Sequence, residues 1–530
     1  MTVSRWLGAV ALVVAACGGG GGDGEPDAAG GDADGAVDAP AAACTPTAGA
    51  AAERVATTSG VVRGAMDGAT WAYKGVPFAA PPVGPLRLRA PLPATCAPTE
   101  LDATQLGPRC PQLDGDVFVG DEDCLQLNVW APAAGAAPRP VMVWIHGGAN
   151  MVGSAADPIY DGRRLAEAGD AVVVTINYRL GQLGFLADAA LEVDGSVGNY
   201  GILDQVQALA WVQANIAAFG GDPGNVMVFG ESAGARNTCT LLAVPAAAGL
   251  FHRALMQSGA CKFVDSRVEG QATADAVAAD LGCTGDRAAC LRAATPEAMV
   301  RANFVAGGAL SASIYGPVVD GVVLTEQPEA AIRAGRHHAM PFAIGANADE
   351  TGREAPTTLT EAQYTALVRS QLGPTIGDRA LAQYPASAYP SPRAAYVRLT
   401  TDARFVCPSR EIADGVRANQ SQPVFRYFFT YRASLLGAVH GVDVPYVFGT
   451  FSAIIVNGQP YQPSATDLAL SAAIQGYWTR FARAGDPGGA PAWPRYDAAD
   501  PAVVLDQPVT TTAGVRTADC DFWKPYYLLQ

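Results

Sequence analysis

Lysine is almost missing from this chain of 530 residues: only Lys74, Lys262 and Lys524 occur, and nearly all positive charge is arginine. No basic run exists, and the formal net charge is −15. A nucleic-acid binder needs a concentrated basic face, so nucleic acid is excluded as a partner. After the N-terminus no apolar stretch approaches the roughly 20 residues of a spanning helix. The 11 cysteines contain no Cys-x-x-Cys pair, which leaves a zinc or thioredoxin-type site without support. There is no Walker or dinucleotide motif, so no metal site and no organic cofactor are expected. Histidine is sparse: His146, His252, His337, His338 and His440. What is abundant is apolar surface (49%), Gly (59) and Pro (38), against 16% charge. That balance excludes a disordered chain or a coiled coil and suits a large, turn-rich core. Several domains would fit the length, but no composition break follows residue 53 and no repeat is visible. Residues 53–530 are therefore expected to form one domain.

The N-terminus carries an address. Arg5 precedes a ten-residue apolar run from Leu7 to Ala16, too short to span and suited to a signal peptide over 1–16. Val14-Ala15-Ala16-Cys17 resembles a bacterial lipobox, which implies a lipidated Cys17 and attachment to a membrane through that lipid alone. Residues 18–52 are rich in Gly, Ala and Asp, with no Lys or Arg over that span. Such a segment cannot offset its ordering entropy and is expected to be a flexible acidic tether. The chain is expected to be exported, as a cell-envelope lipoprotein (Gly18 after the Cys favours the outer membrane) or as a secreted protein. In an oxidising compartment disulfides are the default, and removing Cys17 leaves an even ten cysteines.

The folded part alternates short β-branched runs with helical stretches. Val141–Ile145, Ala171–Ile176, Asn225–Phe229, Pro341–Ile344 and Val424–Phe429 are continuous apolar runs. Strands covered on both faces look like this, as in a mostly parallel sheet. Helical patterns cover Ile202–Phe219 and Asp467–Ala484. The fold class is α/β.

One motif sits where strand meets helix. Gly230-Glu231-Ser232-Ala233-Gly234 fits G-x-S-x-G, preceded by the Asn225–Phe229 strand and followed by a helical run reaching Pro245. Flanking glycines let the backbone turn sharply and hold the Ser232 hydroxyl out at the sheet edge. The new helix aims its N-terminus at the point where negative charge develops. A serine needs a base. The chain order Ser, acid, His leaves His337, His338 and His440. His337 and His338 lie in a polar turn and suit a surface pair, whereas His440 follows a strand and a loop. The acid should follow the Pro341–Ile344 strand, where Asp349 or Glu350 could serve. Ile145-His-Gly-Gly-Ala-Asn150 matches a loop whose backbone N–H groups face an oxyanion, with His146 in a supporting role.

Taken together these residues resemble the type-B carboxylesterase family, which includes cholinesterases, fungal lipases and non-catalytic neuroligins. The resemblance covers nearly all of 53–530. It rests on Lys74–Arg87, Glu122–Trp130, Gly198–Gln205 and Phe219–Val226 leading into the Ser232 motif. It implies an α/β-hydrolase fold, with a large mostly parallel central sheet flanked by helices. The implied activity is hydrolysis of a small-molecule or lipid ester by a serine carboxylesterase through an acyl-enzyme. The resemblance makes Ser232 the nucleophile, Glu350 rather than Asp349 the acid, and His440 the base. Gly148, Ala149 and Ala233 match the oxyanion donors, with Glu231 and Ser258 close behind. It also implies the disulfides Cys110–Cys124, Cys283–Cys290 and Cys407–Cys520. The remaining cysteines are paired by guess as Cys44–Cys96 and Cys239–Cys261.

Departures from the family pattern carry their own expectations. Ala149 stands where a third Gly is usual and Asn150 where an aromatic is usual; Ala149 is expected to donate its N–H only at negative φ. Ala235 stands where Gly is common. The segment between Cys110 and Cys124 is short and has no Trp for a cation–π platform, so no choline specificity is expected. Three alternatives accompany the esterase: a membrane-anchored lipase for longer-chain glycerides, an amide- or lactone-cleaving variant, and a non-catalytic surface binding protein.

Overall fold

The computed structural model describes residues 44–135, 138–262, 264–302, 315–432 and 437–527. Its centre is an 11-stranded sheet. The strands in chain order are β1 (Ala65–Asp67), β2 (Thr70–Pro77), β3 (Gln126–Pro132), β4 (Arg139–Ile145), β5 (Val172–Ile176) and β6 (Gly221–Glu231). Then come β7 (Arg253–Gln257), β8 (Phe342–Asn347), β9 (Val424–Phe429), β10 (Pro501–Leu505) and β11 (Thr510–Ala513). Across the sheet they lie in the order β11-β10-β9-β8-β7-β6-β4-β5-β3-β2-β1. Strands β4 to β10 are mutually parallel, and antiparallel strands close both ends.

The continuous apolar runs explain why these strands are central. Alternate side chains of β4 point to opposite faces: Val141, Val143 and Ile145 enter one core layer, Met142 and Trp144 the other, all fully buried. A polar side would leave one layer unfilled, and each such side chain contributes about 1.5–3 kcal/mol by burial. Helix α1 (Tyr200–Asn215) covers the first layer with Ile202, Leu209 and Val212. Helix α5 (Ala465–Ala484) covers the second with Leu470, Ile474, Trp478 and Phe481. Between them in sequence lie α2 (Ala233–Leu241), α3 (Pro392–Thr401) and α4 (Cys407–Ala418), and α6 (Thr517–Tyr527) ends the described chain. This arrangement is the α/β-hydrolase fold.

Three boundaries differ from expectation. The helix after Ser232 stops at Leu241 rather than Pro245, where a separate short turn begins. The stretch ending at Phe219 is α-helical only to Asn215; it tightens into a 3₁₀ turn that Gly220, at φ 78°, closes. The end of the expected tether is docked on the domain. The Gly49 N–H donates to the Ala217 carbonyl at 3.1 Å, the Ala52 N–H donates to the Tyr73 hydroxyl at 3.0 Å, and Ala51 is buried. Composition misled there, because small residues can fit a groove as well as fill a linker. The signal peptide, Cys17 and residues 18–43 lie outside the described residues.

Candidate active site

The site forms where β4, β6 and β8 end. Strands β4 and β6 run side by side in register to Ile145 and Gly230, so the two loops that follow meet. Ser232 turns the chain at φ 58° and ψ −118°, a strained conformation for a residue with a Cβ. Its N–H is held by the Gln257 carbonyl at 2.9 Å. Two positions before Ser232 and two after it, only glycine fits. A Cβ on Gly230 would lie 2.6 Å from the Gly234 carbonyl carbon, and one on Gly234 would lie 2.0 Å from the Ile145 oxygen. The β4 loop packs directly on the serine, for a Cβ on Gly147 would sit 3.1 Å from that of Ser232.

His440 lies 208 residues away in sequence, yet its Nε2 is 2.8 Å from the Ser232 Oγ. Its Nδ1 is 2.7 Å from Glu350 Oε2, and its backbone N–H donates to the Glu350 carbonyl at 3.0 Å. Glu350 is fully buried, and its other carboxylate oxygen accepts the Asn347 N–H at 2.6 Å. Asp349 turns outward to Arg432, with 2.9 Å between its Oδ1 and Nη2. Position alone thus separates the two acids that the sequence left open.

Glu231 is the second carboxylate at the imidazole. Its Oε1 is 3.1 Å from His440 Nε2. Burial, partly offset by His440, pushes Glu231 up to about 8. Burial opposes the imidazolium, but Glu231 and Glu350 together outweigh it and push His440 up to about 9. Ser258 sits at φ 52°, its N–H donating to the Gly345 carbonyl at 2.9 Å. Its buried hydroxyl has no hydrogen-bond partner among the described residues, so it does not reach His440 or Glu350 by a hydrogen bond.

The loop after β4 is built from behind. In a trans peptide the C=O and the following N–H point in opposite directions, so holding one aims the other. The Gly147 oxygen lies 2.8 Å from His146 Nδ1, which aims the Gly148 N–H away from His146. His146 is held neutral, burial lowering it to about 4. The Gly148 oxygen accepts the Met151 and Val152 N–H groups at 2.9 and 3.0 Å, which aims the Ala149 N–H away from that turn. The Ser232 oxygen accepts the Arg236 N–H at 3.1 Å, so the Ala233 N–H emerges from the start of α2. Ala149 has φ 58°, not the negative value expected. The expectation misassigned the control: the preceding peptide plane aims an N–H, and a positive φ adds only a Cβ penalty.

Several residues that the sequence did not flag complete the site. Phe405 lies on a π-helical turn (Asp402–Val406) and places its ring 4.9 Å from that of His440. Asp443, fully buried, accepts from Gln257 Nε2 at 2.7 Å, Asn347 Nδ2 at 3.1 Å and the Tyr427 hydroxyl at 3.1 Å. Asn347 in turn donates to the Val439 carbonyl, so Asp443 braces the loops of both Glu350 and His440. The only sequence signal was proximity, since Asp443 lies three positions after His440. His337 proves buried, 3.2 Å from Gln420, and His338 reaches the Val244 carbonyl at 2.9 Å; the surface pair was misjudged because both rings find partners distant in sequence.

All five expected cysteine pairs are joined: Cys44–Cys96, Cys110–Cys124, Cys239–Cys261, Cys283–Cys290 and Cys407–Cys520. Cys239 lies on α2 and Cys261 follows Ser258, so one bridge ties the serine's helix to the neighbouring loop.

A serine on a strand–turn–helix, hydrogen-bonded to a histidine that is itself bonded to a buried glutamate, has the arrangement of a serine hydrolase. Comparison with known proteins gives the class. Residues 51–523 match the carboxylesterase family model, and the chain belongs to the carboxylesterase family and is a carboxylic ester hydrolase. It is 35% identical over 474 residues to the para-nitrobenzyl esterase of Bacillus subtilis (strain 168), covering 86% of this chain and 95% of that one. It is 36% identical over 463 residues to the fumonisin B1 esterase of Sphingopyxis macrogoltabida, covering 83% and 84%. The crystal structure of the Geobacillus stearothermophilus carboxylesterase EST55 at pH 6.2 superposes with a TM-score of 0.80 at 35% identity, covering 89% of this chain and all of that one.

Proposed function

We propose that this protein hydrolyses small carboxylic esters in two steps through a Ser232–His440–Glu350 triad. His440 Nε2 takes the proton from Ser232 Oγ as the oxygen attacks the ester carbonyl. Glu350 holds the Nδ1–H, which fixes the tautomer and stabilises the imidazolium. The Gly148, Ala149 and Ala233 N–H groups receive the oxyanion, each worth about 10²–10³ in rate. His440 then protonates the leaving alcohol, and the acyl group stays on Ser232. Water, deprotonated by His440, attacks that acyl-enzyme; collapse releases the acid and restores Ser232. The observation that carries this reading is the continuous Oγ–imidazole–carboxylate chain at 2.8 and 2.7 Å.

Two relatives, a para-nitrobenzyl esterase and a fumonisin B1 esterase, support an esterase over a lipase. Hydrolysis of p-nitrophenyl esters from acetyl to palmitoyl tests the choice. The esterase reading expects a maximum at short chains, and a maximum at palmitoyl would establish the lipase.

The same reading includes delivery. Residues 1–16 act as a lipoprotein signal peptide, Cys17 takes the lipid, and the acidic segment from residue 18 links it to the catalytic domain in the cell envelope. The lipobox-like Val14–Cys17 sequence supports this. Labelled fatty acid should enter the wild type and not Cys17→Ser; equal labelling would refute it.

A further inference from the structure

Asn150 replaces an expected aromatic, and it does not simply fill that space. It is fully buried at φ 58°, a conformation that asparagine tolerates better than most residues. Its amide oxygen accepts the Asn237 Nδ2–H at 2.9 Å and lies 3.2 Å from the Tyr178 hydroxyl. Its own Nδ2 reaches the Asn237 oxygen and the Tyr315 carbonyl, each at 3.5 Å. Its backbone oxygen accepts the Gly181 N–H at 2.7 Å.

These contacts link two separate elements. Asn150 follows Gly148 and Ala149 directly. Asn237, also fully buried, lies on α2, whose first residue is Ala233. Tyr178 extends the link, because its hydroxyl also lies 2.9 Å from the His146 carbonyl oxygen and its ring stacks on His146 at 4.5 Å. An aromatic at 150 would hold the loop by packing alone, whatever stood at 237. An amide pair is directional: it fixes separation and orientation together.

We infer that Asn150, paired with Asn237, is a positioning residue that locks the Gly148–Ala149 loop to the Ser232 helix, so that the three N–H donors form one preorganised oxyanion site. This rests on the oxyanion assignment proposed above. Donors held in advance favour the transition state over the bound substrate, so their loosening lowers kcat rather than raising KM.

Asn150→Gly removes the amide while keeping a residue at ease with positive φ. With p-nitrophenyl acetate we expect kcat to fall about 10- to 100-fold and KM to stay within about two-fold. Affinity for a trifluoromethyl ketone, which forms an oxyanion on the serine, should fall in the same proportion. The acid limb of the pH profile should not move, because no contact of His440 is touched. Asn237→Ser should reproduce these changes, and the double variant should be no worse than the worse single one. Thermal unfolding of each variant is followed alongside, and Asn237→Ser decides the matter where Asn150→Gly is unstable. Wild-type kcat and ketone affinity in the folded variants, a loss confined to KM, or additive losses would overturn the inference. Failure of the underlying reading looks different: a folded wild type inactive on esters, or Ser232→Ala with full activity.

Discussion

The two halves of this site are held by opposite means. Ser232 and the loop after β4 lie at the ends of adjacent strands in register, and their backbone groups are held by those strand ends and by the next strand, as where the Gln257 carbonyl accepts the Ser232 N–H. Glu350 and His440 are 90 residues apart and depend on elements from the far end of the chain. Thr351 meets Thr400 of α3 at 2.6 Å. Arg516, just before α6, donates to the Ala348 carbonyl at 2.7 Å and pairs with the buried Asp402. Cys407–Cys520 joins α4 to α6 across 113 residues. The lesson is that geometry on the serine side is set at the ends of adjoining central strands, whereas on the side of Glu350 and His440 it is a by-product of the packing of elements late in the chain.

The comparison can be broken on either side. The largest effect is expected for Ser232→Ala, with kcat for p-nitrophenyl acetate falling about 10⁴–10⁶-fold and unfolding nearly unchanged. Next comes Gly148→Ala. Its Cβ would lie 2.1 Å from the Val152 oxygen at φ 105°, which displaces the loop. We expect a loss of about 10²–10³ in kcat, measured by steady-state kinetics. On the other side, the paired change Cys407→Ser and Cys520→Ser should lower stability by about 2–5 kcal/mol in urea unfolding, with kcat at low temperature close to wild type. A large kcat loss in that variant while it is folded would erase the distinction between the halves.

The smallest effect is a shift in pH dependence. As the proposed base, His440 must be neutral to accept a proton, and Glu231 and Glu350 favour its charged form. The acid limb of kcat/KM should therefore lie above the ordinary imidazole range. Glu231→Gln removes one carboxylate, so the imidazolium loses support and the limb moves to lower pH. A limb that stays put or rises would show that Glu231 does not act on His440.

What the sequence could tell follows the same division. The Ser232 turn and the loop after β4 are short patterns next to recognisable strands, because the backbone strain they carry admits few residues. Strands β4, β5 and β9 were plain as apolar runs, since both faces are covered. Glu350 and Asp349 could not be separated by local pattern, because only the fold buries one and exposes the other. Asp443, Phe405 and Asn237 act through partners distant in sequence, and apart from the closeness of Asp443 to His440 and of Asn237 to Ser232 nothing in their neighbourhoods marks them. The docking of residues 44–52 was hidden for a different reason, as Gly and Ala suit both a tether and a close backbone contact.

The most direct measurement is of the acyl-enzyme itself. Purified protein is mixed with p-nitrophenyl acetate, quenched in acid before turnover and mapped by peptide mass spectrometry. The account predicts an acetyl group on Ser232 and none in Ser232→Ala. Acetylation of another residue, or release of p-nitrophenol with Ser232 unmodified throughout, would contradict it.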